Sequence, residues 1–110
     1  MTLRVDDLDV AGAKIAGYLL APEHPDGRGK ALFFGRVGFS RSRPDALADA
    51  LREHAAAHDA RVEPSPFGER IVVDGTLAVP NGRSVSVRAV WFRESGSSRI
   101  RLVTAYPIRP

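Results

Sequence analysis

The hydrophobic pattern changes period near residue 60, and that change leaves the chain few architectures to choose from. Before it, apolar residues recur at helical spacing; after it, they alternate. In the first helical segment Val10, Ala13, Ile15, Leu19 and Leu20 share a face. Asp9 stands as its cap and Pro22 follows its end, which predicts a helix over about 9–21. A short second helix is expected over about 30–36, stopped by the Gly35/Gly38 region. Ser42, Pro44 and Asp45 supply a cap, a first-turn proline and an acid at the positive end of a dipole. They start a third helix over about 44–57, with Leu47, Ala50, Leu51, His54 and His58 along one face.

The second half reads as strands. A short edge strand is expected at about 61–63, before a Pro-Ser-Pro-Phe-Gly turn. Residues 70–79 alternate, with Ile71, Val73, Leu77 and Val79 on one face and Gly75 as a candidate bulge. Pro80-Asn81-Gly82-Arg83 signals a hairpin leading into a strand over about 84–92. After the polar ESGSS turn, a last strand covers about 99–107. Helices followed by an antiparallel meander of three to four strands make an α+β fold, with 1–110 as a single domain.

Charge adds a second constraint. Sixteen basic residues outnumber thirteen acidic ones, for a net charge of +3. After residue 82 the chain carries Arg83, Arg88, Arg93, Arg99, Arg101 and Arg109 against Glu94, so the C-terminal third is expected to be basic, as a polyanion partner would require. There is no cysteine, which excludes a disulfide scaffold and thiolate metal sites. No segment has the length of apolar residues that crosses a bilayer, and the acidic N-terminus lacks the order of a signal peptide. A cytoplasmic protein is the expectation.

The segment YLLAPEHPDGRGKALFF, residues 18–34, holds one of three histidines and one of only two lysines. Read with VRAVWF at 87–92 and RLVTAYP at 101–107, it resembles a family of small uncharacterised bacterial domains. That family in turn looks like the barnase–EndoU–colicin–RelE group of metal-independent ribonuclease toxin domains. The resemblance runs from about Lys14 to Pro107. It implies helices packed on a four-stranded antiparallel sheet, RNA as substrate, no cofactor, and a small neutralising antitoxin or immunity protein encoded nearby. It departs at Ala89, where the family pattern tends to have threonine, so any phosphate contact by that hydroxyl is missing.

His24 and Lys30 are the first site candidates, and the resemblance matches both. Metal-independent RNA cleavage needs a base for the ribose 2′-OH, an acid for the leaving oxygen, and cations for the charge on phosphorus. Imidazole changes charge near neutrality, and lysine offers a compact cation. The other reading makes His24 part of a turn and leaves Lys30 in solvent.

Thr104 and Tyr106 are the second pair, able to hold a phosphate from one face of the last strand. Simple alternation puts them with Ile100 and Leu102, facing inward, unless a bulge intervenes. Arg70, Arg88, Arg99 and Arg101 are expected to cluster on the exposed sheet face, either as RNA-binding residues or as a solvated face that resists aggregation. His54 and His58 have i, i+4 spacing but no third ligand at a metal-site spacing, so they are read as packing histidines, and no metal is expected. Trp91, Phe33, Phe34 and Phe39 are read as core. The two functional readings are a metal-independent endoribonuclease toxin and a non-catalytic module of the same fold that binds nucleic acid or protein.

Overall fold

The computed structural model describes residues 1–25 and 27–109; Asp26, inside the glycine-rich loop, and Pro110 lie outside that range. A single-turn 3₁₀ segment, Val5–Asp7, leads into strand β1 (Leu8–Asp9). Helix α1 (Gly12–Lys14) runs on into a wider π turn, Ile15–Leu19. Helices α2 (Arg28–Arg36) and α3 (Pro44–Ala57) follow, and then β2 (Ala60–Ser65), β3 (Gly68–Ala78), β4 (Ser84–Glu94) and β5 (Ile100–Pro107). The chain is α+β, with its helices before residue 58 and its long strands after it.

The sheet has one strand more than the alternating pattern suggests. Its order is β1-β5-β4-β3-β2. Strands β2 to β5 form the antiparallel meander, and β1 adds a parallel edge through Leu8↔Ile100 and Asp9↔Arg101. Asp9 is therefore a strand residue and not a helix cap: Arg99 takes its carboxylate with two donors. Helix α1 starts later, after Ala11, with no side-chain cap. Ser42 does not cap α3 either, since its hydroxyl pairs with that of Ser40 at 2.7 Å. Pro44 opens that helix, with Asp45 as the acid of its first turn.

Gly75 is no bulge; it stays in register opposite Val87. The irregularity lies in β5, where Val90 faces Thr104 but Trp91 faces Leu102, leaving Val103 as the extra residue. That single residue resets which way the strand's side chains point. Leu102 and Ala105 both face the helices and are buried, which puts Thr104 and Tyr106 on the opposite face with Val90 and Arg88.

The core lies between the helices and the inner sheet face. Ile71, Val73 and Leu77 of β3 and Val87, Ala89 and Trp91 of β4 pack with Ile15, Leu19, Phe34, Leu47 and Leu51. Each of the large aliphatic side chains contributes roughly 1.5–3 kcal/mol on leaving water. Phe34 meets Phe33 and Phe39 edge-on, at 5.0 and 6.2 Å between ring centres. Trp91 is fully buried, and its indole N–H finds no hydrogen-bond partner among the described residues. No helix among the described residues is long and apolar enough to cross a membrane.

Candidate functional site around Tyr18

Lys14 and Lys30, the two lysines in a chain that otherwise uses arginine, both meet one side chain, Tyr18. Lys14 lies one helical turn before it, with Nζ 5.2 Å from the ring centre. Lys30 comes from the first turn of α2; its Nζ stands 5.0 Å from the same centre and donates a hydrogen bond to the phenol oxygen at 2.8 Å. Both distances fall within cation–π range. The His24 ring sets its edge against Tyr18, centre to centre 4.9 Å. On the far side, the phenol oxygen is 3.5 Å from Thr104 Oγ1. Either hydroxyl can donate in that contact.

Local folding explains the convergence. The π turn lets Leu20 N–H reach Ile15 O at 2.8 Å, and Ala21 N–H bonds Tyr18 O at 3.2 Å, so the helix ends beside Tyr18. Such widened turns put extra rotation into a helix and recur at functional positions. The loop then doubles back through His24 N–H to Ala21 O and Gly27 N–H to His24 O. Gly27 presses onto the Tyr18 backbone: a Cβ there would sit 2.4 Å from the Tyr18 carbonyl oxygen. This close approach is why the loop between the histidine and the lysine carries a glycine there. Arg41 holds Glu23, next to His24, at 2.6 Å.

The electrostatics follow from the same contacts. Burial pushes the Tyr18 phenol up, but the hydrogen bonds with Lys30 and Thr104 and the charges of Lys30 and Lys14 outweigh it. The net result is a phenol more acidic than a free one. Lys14, Gly17, Tyr18 and His24 line a concavity open to solvent.

Of the residues singled out in the sequence, His24, Lys30 and Thr104 come together here. Tyr106 stands two residues from Thr104 on the same face but pairs across the sheet with Arg88. Arg88 is itself engaged, donating to both Asp74 carboxylate oxygens at 2.7 and 2.8 Å. The Asp74 carboxylate, and after it the Tyr106 hydroxyl, hold the guanidinium's proton more tightly than usual.

The other three arginines singled out in the sequence, Arg70, Arg99 and Arg101, are also held by acids. Arg70 bonds Glu63 at 2.7 Å, Arg101 approaches Glu94 at 3.6 Å while covering the Phe92 ring, and Arg93 pairs with Glu69. Arg99 precedes β5 and ties Asp9 and the Asp6 carbonyl instead of joining a cluster with Arg70 and Arg88. The acids come from β1, β2 and β3 as well as from β4, so Arg70, Arg88, Arg93, Arg99 and Arg101 form ion pairs rather than bare positive charge. Ala89 is fully buried opposite Ala105, so a hydroxyl at that position would face the helices and not this site.

His54 and His58 pack against the sheet. His54 Nε2–H donates to Val87 O at 3.0 Å and Gly75 O at 3.2 Å, and His58 Nε2–H donates to Thr76 O at 2.9 Å. No group of three or more His, Cys, Asp or Glu able to hold a metal occurs among the described residues.

Tyr18 was missed from the sequence because YLL reads as the apolar end of a helix. The available signal was the scarcity of lysine together with the i, i+4 spacing of Lys14 and Tyr18.

Compared with known families, the chain matches the one described as Domain of unknown function (DUF6883) over residues 3–109. No curated protein and no solved structure matches it.

Proposed function

We propose that this chain, which belongs to the family described as Domain of unknown function (DUF6883), is a metal-independent endoribonuclease that acts as a bacterial toxin. It cuts RNA by transesterification, with the ribose 2′-oxygen attacking the adjacent phosphorus. The observation that carries this reading is the meeting of both lysines, His24 and Thr104 at Tyr18. That set contains what the reaction asks of side chains. Lys30 and Lys14 offset the charge that builds on the pentacoordinate phosphorus, and His24 exchanges a proton with the sugar. Thr104 hydrogen-bonds a phosphate oxygen, and Tyr106 with Arg88 extends the same sheet face for the neighbouring nucleotide. No cofactor is called for. The partners are RNA in the cytoplasm and a small neutralising protein encoded nearby, as the ribonuclease-toxin resemblance implies.

The test is direct. Purified protein is incubated with cellular RNA in excess EDTA, and the new ends are mapped. The expected products carry a 2′,3′-cyclic phosphate and a 5′-hydroxyl. Expression without a co-expressed neighbouring gene is expected to arrest the host. His24→Ala and Lys30→Ala should each remove cleavage and arrest while shifting the melting temperature by only a few degrees, since both are loop or helix-start residues outside the core. Intact RNA and a healthy host with the unaltered chain would sink the reading and leave the non-catalytic binding module.

A further inference from the structure

Resting on the endoribonuclease reading, we propose that Tyr18 is the general acid of the reaction and His24 the base. Cleavage by transesterification needs two proton transfers at opposite ends of the phosphorus, and His24 supplies a group for only one of them. Among the described residues around it, Lys14 and Lys30 are the cations that offset the charge on phosphorus, and Thr104 is the hydrogen-bond partner of a phosphate oxygen. The phenol is the remaining proton donor in the cluster.

Three features suit Tyr18 to that task. The phenol oxygen accepts from Lys30 at 2.8 Å, so the charge left on it after proton loss is already met by an ammonium. A second ammonium, that of Lys14, lies 5.2 Å from the ring centre. Between the Tyr18 and Thr104 hydroxyls the contact is long, at 3.5 Å, and a developing oxyanion would outcompete it for the phenol hydrogen.

The step balances as follows. His24 removes the 2′-OH proton as the 2′-oxygen bonds to phosphorus. The bond from phosphorus to the 5′-oxygen breaks, and Tyr18 gives its proton to that oxygen. The products are a 2′,3′-cyclic phosphate and a free 5′-hydroxyl, with an imidazolium and a phenolate left on the protein. The two rings are in edge contact at 4.9 Å, so solvent can return the proton from one to the other over a short path.

A sulfur-for-oxygen substrate separates the two roles. Once the cut is mapped, an RNA oligonucleotide is made with a 5′-bridging phosphorothiolate at that linkage, whose thiolate leaves without a proton. Tyr18→Phe should slow cleavage of the oxygen substrate by about 10²–10⁴-fold and cleave the sulfur substrate at nearly the unaltered rate. His24→Ala should stay slow on both. In the unaltered protein the alkaline fall in kcat/KM should be present with oxygen and absent with sulfur, and Lys14→Met should move that fall to higher pH. Equal loss on both substrates by Tyr18→Phe would make Tyr18 a positioning residue and overturn the assignment. So would full activity of Tyr18→Phe on oxygen, or rescue of His24→Ala by sulfur. If the unaltered chain cleaves neither substrate, the ribonuclease reading itself fails, and that result is distinct from the others.

Discussion

The His58 ring lies against Gly75 so closely that a Cβ at residue 75 would stand 2.4 Å from its Cγ. The contact fixes the end of α3 over β3, where His58 also donates to Thr76 O. Gly75→Ala must therefore swing the ring away and forfeit that bond, at a net cost of about 1 kcal/mol. With His58→Ala already in place, the same change should instead stabilise by about 0.5–1 kcal/mol, because alanine replaces glycine inside a strand. Urea unfolding of the four variants measures the cycle. The same sign in both backgrounds would disprove the steric account.

His54 makes stability depend on pH. It is 3% exposed, its Nε2–H serves two carbonyls, and its Nδ1 is buried without a hydrogen-bond partner among the described residues. Burial holds its imidazole below the ordinary histidine range, against the raising effect of the bonds to Val87 and Gly75. Unfolded chains bind a proton there near pH 6.5, and the folded chain resists it. The contribution is thus complete above about pH 6.5 and is lost as pH falls through the lower folded value, by at most about 1.4 kcal/mol per pH unit. His54→Gln retains a donor but no titration, so its denaturation midpoint should vary less between pH 7.5 and 5. An unchanged pH dependence would assign the effect to other groups.

Gly27→Ala should act locally. The added methyl collides with the Tyr18 carbonyl and cannot be relieved by turning a side chain. It should push the loop bearing His24 off Tyr18 and, on the endoribonuclease reading, cut RNA cleavage at least tenfold while the β3–β4 amides keep their hydrogen-exchange protection. Full cleavage by this variant would mean the close approach does not hold the site together.

The ion pairs on the outer sheet face make a prediction about salt. If RNA crosses that face, it must compete with Asp74 for Arg88 and with Glu63 for Arg70. Asp74→Ala with Glu63→Ala should then tighten binding and steepen the salt dependence by about two phosphate contacts, near 0.7 each in log–log slope for a single strand. An unaltered slope would confine RNA to the lysine end of the molecule.

Much of this fold was legible in the sequence because long elements bury regular stripes. Helix α3 and strands β3 and β4 repeat their apolar residues for ten or more positions, and α3 starts at the proline that marks it. Strand β1 left no such trace: two residues become a strand only because β5 offers them an edge. The extra residue in β5 was equally silent, since LVTA contains no glycine and Val103 looks like any strand valine. For the site, the loop residues were legible as chemistry, but their partner was not. Tyr18 acquires its neighbours from α2 and β5, 12 and 86 positions away. The arginine face failed for the same reason, as Arg88 meets Asp74 across 14 positions and Arg99 meets Asp9 across 90.

The pairing of β1 with β5 also has a consequence in time. A ribosome delivers Leu8 and Tyr18 long before Ile100 and Thr104, and domains begin to fold as they emerge. The helices can collapse on β3 and β4 while the seam for the last strand stays open. Only when β5 arrives does Leu8 gain its neighbour and Tyr18 its threonine. A chain interrupted before that strand can own every loop residue of the site and still lack its far wall, so the order of synthesis makes the last strand the one that completes it.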